Sequence, residues 1–157
     1  MIYGTFGEIG ELMFEIDLIA VDGERLTVDV LLDTGFTTGY LAIDIQDAEN
    51  LGWSVIERSV TMRTARGLDY FDIYEGKVFL DNQEYIIPVL AGAEITEVLL
   101  GLQWLKILPL TVNFASELLI LVPRTANNYD YSEHQRLADI SPTKRFSQGF
   151  IKEVNKC

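Results

Sequence analysis

The chain has 157 residues, of which 48% are hydrophobic and 23% are charged, a composition typical of one globular domain with its own core. Its formal net charge is -12, and because an acidic surface repels phosphate backbones, nucleic acid is not an expected partner. Residues 1–123 carry six Lys/Arg and twenty Asp/Glu (net -14) and residues 124–157 carry six and four (net +2), which predicts a body domain followed by a C-terminal tail, partly helical or flexible.

The N-terminal part of the sequence gives two expectations, a cytoplasmic location for the protein and a β-hairpin at the start of its fold. Met1–Thr5 contains no basic region and no long apolar region, so no signal peptide is expected. Apolar and acidic residues then alternate over Glu11–Leu18 with a period of two, which is typical of a half-buried strand. The turn residues Val21–Glu24 separate it from a second strand, Thr27–Leu32, so the two strands should form a hairpin.

The second strand runs directly into Asp33-Thr34-Gly35, which is the most informative feature of the sequence. A buried carboxylate is costly unless it is hydrogen-bonded or shares a proton. Gly35 allows a sharp turn that brings backbone N–H groups to the carboxylate, and Thr34 can donate a hydroxyl hydrogen bond. Asp33 is therefore either an acid–base group or a structural turn carboxylate that does no chemistry.

The middle of the chain predicts a short helix and a set of short strands. Asp44 is the expected N-cap of a helix that ends near Gly52. The predicted strands are Ser59–Thr64, Tyr70–Tyr74, Lys77–Leu80, Glu84–Leu90 and Thr96–Leu100, with a turn at Ala65–Asp69 and with Pro88 expected at an edge or strand end. A helix over Leu102–Leu108, stopped by Pro109, and a last hairpin of Leu110–Phe114 and Leu118–Val122 complete the body.

Many short strands with little helix indicate a mainly β fold, a closed or sandwich-like β domain. The longest apolar stretch, Val98–Leu110, is interrupted by polar residues, glycine and proline, so no membrane span is expected. In the tail, Ser132 is the expected cap of a helix over Glu133–Ile140.

The only histidine is His134 and the only cysteine is Cys157, both in the tail. Nucleophilic systems built on His or Cys, and metal sites that need several such ligands, are therefore not expected. Any catalysis should rest on carboxylates, without a metal or cofactor. A β-barrel enzyme that combines Asp33 with Asp29 or Asp44 is one such possibility.

Asp33-Thr34-Gly35 after an apolar strand resembles the active-site motif of aspartic proteases, within the retropepsin-like group (clan AA) that has a single such motif. The Gly67 turn lies where this group has its substrate-covering flap, and Leu99-Leu100-Gly101 is similar to its hydrophobic–hydrophobic–Gly signature. The order of these segments matches over about residues 11–122. The sequence after the motif, Phe36 to Leu41, resembles the bacterial, cyanobacterial-type branch.

The resemblance implies a closed acid-protease β barrel with one or two short helices, and an aspartic endopeptidase acting on peptides or proteins. Because such catalysis needs two carboxylates and this chain has one motif, the resemblance implies a homodimer with one Asp33 from each chain. Thr34 would brace the pair and Gly35 would line the cleft. Phe36 and the flap residues Arg66, Gly67 and Leu68 would contact substrate.

Three features depart from the retroviral pattern. Bulky Phe36 replaces a small residue and would narrow the groove or fill a pocket. The flap turn contains only Gly67, and the tail follows the last body strand, where retroviral chains end in their dimer contact. These features motivate an alternative reading, a catalytically inactive peptide-binding or assembly module on the same fold.

Overall fold

The computed structural model describes residues 1–64 and 66–122 of the chain. One α-helix, α1, covers Ile45–Asn50, and a 3-10 helix covers Leu102–Lys106. In chain order the strands are β1 Ile2–Tyr3, β2 Thr5–Phe6, β3 Leu12–Ile19, β4 Arg25–Asp33, β5 Leu41–Asp44, β6 Ser54–Thr64, β7 Gly67–Leu80, β8 Gln83–Gly92, β9 Val98–Gly101, β10 Leu110–Asn113 and β11 Leu118–Leu121.

Six of these strands close into a barrel. The larger sheet has the order β2-β3-β4-β9-β5-β8-β7-β6, and an additional pairing between β3 and β7 joins Asp17 to Phe79 and Leu18 to Val78. The closed circuit is therefore β3-β4-β9-β5-β8-β7. The mainly β, closed-barrel fold with one or two short helices expected from the sequence is confirmed.

Two short strands at the ends of the described chain join a separate three-stranded sheet. Its order is β1-β11-β10, with Ile2 opposite Leu121 and Leu110 opposite the same Leu121. The predicted last hairpin is confirmed as β10 and β11. The N-terminal strand thus pairs within its own chain.

The barrel interior is filled by apolar side chains from every strand of the circuit, and Trp104 of the 3-10 helix belongs to the same core cluster and has no exposed surface. The aromatic rings of Tyr40 and Tyr85 both meet Trp104 edge-on, at centroid distances of 5.2 and 5.1 Å. A second, smaller cluster consists of Ala42, Val60, Ile73 and Leu90.

Local details differ from the sequence prediction in several places, and β6, predicted to begin at Ser59, begins at Ser54. The strands predicted at Tyr70–Tyr74 and Lys77–Leu80 are one continuous strand, β7, because Gly76 serves packing there rather than a turn. A Cβ at Gly76 would lie 2.3 Å from Val89 and 3.0 Å from Trp53. The predicted helix Leu102–Leu108 is a 3-10 helix that ends at Lys106.

The remaining local predictions have different outcomes. Asp44 caps α1 by accepting a hydrogen bond from the Gln46 N–H at 2.8 Å. The expectation that Pro88 lies at an edge or strand end is wrong, because Pro88 lies inside β8, between β7 and β5. The missing N–H is tolerated there because β5 begins to pair with β8 only at Val89. The division at residue 123, the predicted tail helix, His134 and Cys157 lie outside the described residues. No helix of the described residues is long and apolar enough to span a bilayer.

Candidate active site

Asp33 is the last residue of β4 and is half-buried. The strand is anchored by Val30 and Leu32, which are 0% and 7% exposed. Beside it runs β9 in parallel, with Asp33 opposite Gly101. The apolar strand therefore holds the carboxylate at a fixed place at the end of the barrel wall.

The turn after Asp33 provides a backbone donor for its carboxylate. The Gly35 N–H donates to Asp33 Oδ1 at 2.8 Å, as expected for a glycine that lets the chain turn back on the side chain. A Cβ at Gly35 would lie 3.0 Å from the same oxygen, so a larger residue would push the carboxylate away. Thr34 is exposed on the single chain.

Carbonyl groups of the loop that follows, residues 36–40, accept hydrogen bonds from the end of β9 and from the 3-10 helix after it. The Leu102 N–H donates to Phe36 O at 2.9 Å, and the Gly101 N–H donates to Tyr40 O at 2.8 Å. Gln103 contributes two bonds, from its side-chain Nε2 to Thr37 O at 2.5 Å and from its N–H to the Gly39 carbonyl at 3.3 Å. The loop therefore has a defined backbone path on both sides of Phe36.

A groove of about 500 Å³ opens beside Asp33. Most of its walls are apolar side chains, many of which belong to the smaller core cluster or pack against it. The lining residues are Asp33, Gly35, Phe36, Thr37, Thr38, Ala42, Met62, Arg63, Thr64, Phe71, Leu90, Ile95 and Leu99. A groove with mostly apolar walls and a few polar groups has the character of a ligand-binding site.

The hairpin of β6 and β7 forms one wall of this groove. Met62, Arg63 and Thr64 line it, whereas the predicted contact residues Arg66, Gly67 and Leu68 lie exposed at the hairpin tip and are not among the lining residues. Thr64 pairs with Gly67, which has a φ of 124° and so suits glycine. Thr64 Oγ1 donates to Asp69 Oδ2 at 2.7 Å, which stabilises the tip.

The base of the hairpin is held by Asp72. The register of β6 shifts between Val55 and Glu57 and again between Glu57 and Val60, and Ser59 has a φ of 55°. The Ser59 N–H donates to Asp72 Oδ1 at 2.9 Å, and Arg58 Nη1 lies 3.3 Å from Asp72 Oδ2. One carboxylate thus supports a β-bulge in the hairpin wall.

Within residues 1–64 and 66–122, no other carboxylate lines the groove with Asp33. Asp29 lies four residues earlier on β4, about 13 Å away at the usual rise of a strand. Asp44 caps α1, and neither residue lines the groove. Among the described residues, no group of three or more His, Cys, Asp or Glu side chains could hold a metal ion.

Of the residues that line the groove, the sequence prediction named Asp33, Gly35 and Phe36 but not the apolar residues around them. Met62, Phe71, Ile95 and Leu99 come from four separate segments that meet only in the closed barrel. The local pattern of β6 gives no alternation signal for this wall, because three consecutive residues, Met62, Arg63 and Thr64, line the groove. The loop holding Ile95 carries no such signal.

Comparison with known proteins identifies the fold. A retropepsin-like aspartic protease from Rickettsia conorii matches with a TM-score of 0.55 and 20% identity, over 76% of this chain and 87% of that protein. The retroviral protease-like domain of Ddi1 from Leishmania major matches 74% of this chain and 98% of that domain, with 17% identity and a TM-score of 0.44. No model of a protein family and no curated protein matches the chain. The barrel therefore has the retropepsin-like fold expected from the Asp33 motif.

Proposed function

We propose that the protein is an aspartic endopeptidase that hydrolyses peptide bonds as a homodimer. The observation that supports this most directly is the position of Asp33, half-buried at a groove of about 500 Å³ with mostly apolar walls. The hairpin β6–β7 supplies one wall, so a peptide lying in the groove would pass between the carboxylate and this hairpin. The fold is one that a solved aspartic protease shares.

The chemistry requires two carboxylates. When two such groups lie close together they cannot both ionise easily, so they share one proton. The ionised group then removes a proton from water, and the protonated group polarises the scissile carbonyl. A single Asp33 cannot perform both roles at once.

A second copy of the chain would supply the missing carboxylate. The chain has one Asp-Thr-Gly sequence, and neither Asp29 nor Asp44 lines the groove with Asp33. A two-fold axis beside Asp33 would bring two identical carboxylates together, and C2 dimers are the commonest oligomers. Thr34, exposed on the single chain, would then brace the pair.

A peptide-binding module without catalysis is the second candidate. It is motivated by Phe36, a bulky residue that lines the groove beside Asp33. Such a module would bind peptides in the groove and release them intact at every pH.

The deciding experiment compares Asp33→Asn with Asp29→Asn. Both changes neutralise one carboxylate of β4, but Asp29 is exposed and does not line the groove. Hydrolysis of an unfolded protein such as reduced casein is measured from acidic to neutral pH. We expect Asp33→Asn to lower kcat at least about 10³-fold, in the range seen when other catalytic groups are removed, and Asp29→Asn to leave it within about twofold.

Retention of hydrolysis by Asp33→Asn would overturn the assignment. Binding of peptides by the unaltered protein without cleavage at any pH would instead establish the non-catalytic module. Unfolding curves of both variants show that the comparison is between folded proteins.

A further inference from the structure

The Phe36 side chain covers a recess whose floor is made of two glycines. A Cβ at Gly39 would lie 2.0 Å from Phe36 Cζ, and one at Gly101 would lie 2.9 Å from Phe36 Cδ1. Both glycines are buried, and Phe36 itself is half-buried and lines the groove. One side of the ring therefore rests on bare backbone while another part forms the surface that a ligand meets.

We infer that Phe36, seated on Gly39, is a specificity-determining residue that sets the depth of the groove next to Asp33. With the ring in place, the groove accepts shorter apolar side chains than it would with a small residue at this position. This inference rests on the proposed function, since it concerns which peptides the same groove receives. It also gives a role to the bulky Phe36, which stands where the retroviral pattern has a small residue, because the ring occupies space that a substrate side chain would otherwise enter.

The backbone supports the ring's position from outside the groove. The carbonyl of Phe36 accepts the Leu102 N–H at 2.9 Å, and its own N–H donates to Asp33 O at 3.2 Å. The residue is thus held at both its N–H and its carbonyl. Truncating the ring would open the recess without removing either bond.

Two substitutions should move the preference in opposite directions. Phe36→Ala removes the ring and deepens the groove. In Gly39→Ala the three atoms nearest to the new Cβ all belong to the far end of the Phe36 ring, so the ring is displaced from the recess and the groove becomes shallower. Gly39 does not have a positive φ, so its backbone does not require glycine.

The test uses peptides that differ at one position only, carrying Ala, Leu, Phe or Trp beside the bond that the protein cleaves. Cleavage is measured as kcat/KM, and binding is measured separately by fluorescence anisotropy with the Asp33→Asn version of each variant. We expect Phe36→Ala to raise the Trp-to-Ala preference by about tenfold or more and Gly39→Ala to lower it similarly, since one methylene in a pocket changes discrimination by about 10- to 200-fold.

The double variant provides an internal check. Once the ring is absent, the added Cβ of Gly39→Ala has nothing to displace, so the double variant should resemble Phe36→Ala rather than the sum of both changes. Phe114→Ala is the matched control, because that exposed ring packs on Phe6 at a centroid distance of 4.7 Å and lines a different cavity. Its size preference should be unchanged.

The two proposals fail in different ways. If no peptide is cleaved but the bound-peptide preference shifts as described, the endopeptidase assignment fails and the role of Phe36 stands. Cleavage with the same size preference in the parent protein, Phe36→Ala and Gly39→Ala overturns the role of Phe36 alone. An equal shift in Phe114→Ala also overturns it. If Phe36→Ala does not fold, the shift in Gly39→Ala decides the question.

Discussion

Asp33 and Tyr74 show two different environments for an ionisable side chain in the same barrel. Asp33 is half-buried, faces a groove and accepts a backbone hydrogen bond. Tyr74 is 2% exposed, and its burial, together with the nearby charges of Glu49 and Asp72, raises the pKa of its hydroxyl above 10.0. Burial here favours the neutral form of the phenol.

The pKa of Tyr74 predicts a loss of stability in alkaline solution. Below pH 10 the hydroxyl is neutral in both folded and unfolded chains, but above it the unfolded chain releases the proton while the folded chain keeps it. The free energy of unfolding should therefore fall as pH rises from 10 towards the folded-state pKa. Denaturant unfolding of the parent and Tyr74→Phe checks this, because the variant should lose less stability over that interval. Parallel pH curves for the two proteins would contradict it.

The contact at the Asp33 motif that the sequence predicts acts over a short distance along the chain. Asp33 and Gly35 are two residues apart, so their hydrogen bond follows from the turn itself. The role of Gly39 could not be predicted, because its close contact with Phe36 exists only after the loop has closed against Gly101. A glycine required by tertiary packing looks the same in sequence as a glycine in an ordinary loop.

Among the elements, the hairpin of β6 and β7 combines a long strand pair with a bulge. Its tip is supported by Thr64 and Asp69, and its base by Asp72. The exposed pair between Arg58 and Asp72 adds little, because solvent screens it, so the bond to the Ser59 N–H is the main contribution of Asp72. Ser59 has a φ of 55°, a conformation that depends on such support.

Replacing Asp72 should loosen the hairpin. We expect Asp72→Ala to lower the free energy of unfolding by about 1–2 kcal/mol, because the Ser59 N–H loses its acceptor. Asp72→Asn keeps an oxygen acceptor and should lose less than half as much. Urea unfolding measures both, and hydrogen exchange at the amides of β6 locates the effect. Equal destabilisation by the two variants would show that the charge, rather than the acceptor, is what matters.

Prediction of the elements succeeded where local patterns were decisive and failed where packing overrode them. The alternation in β3, the turn at Gly23 and the Asp44 cap are local, and all are confirmed. β7 was predicted as two strands because Gly76 interrupts its apolar pattern, yet that glycine makes room for Val89 and Trp53. A glycine that leaves room for a side chain from another segment cannot be recognised from the sequence of its own strand.

At the scale of the whole molecule, charge and oligomeric state are connected. Each chain carries a net charge of -12, so two copies repel each other at long range. Added salt screens this repulsion, with a Debye length of about 10 Å at 0.1 M. A dimer built from two such chains should therefore be favoured by moderate ionic strength.

If the active species is a homodimer, specific activity should rise with protein concentration and reach a plateau. The concentration that gives half of the plateau should fall when NaCl is added, because screening favours association. Mixing the parent with excess Asp33→Asn protein should lower activity beyond simple dilution, since mixed dimers hold only one Asp33 carboxylate. Activity strictly proportional to concentration, with no effect of the inactive partner, would contradict the dimer.

The hydrogen bonds that hold the loop after Asp33 in place also determine at which stage of folding the candidate site forms. Gln103 reaches Thr37 across 66 residues of chain, and Trp104 reaches the Tyr40 carbonyl across 64. Closing such long loops is entropically costly and slow compared with forming a local hairpin. During synthesis, Asp33 therefore emerges well before the segment that holds its loop in place. A nascent or half-folded chain contains the carboxylate but no groove, so the site is complete only once the last part of the barrel has folded.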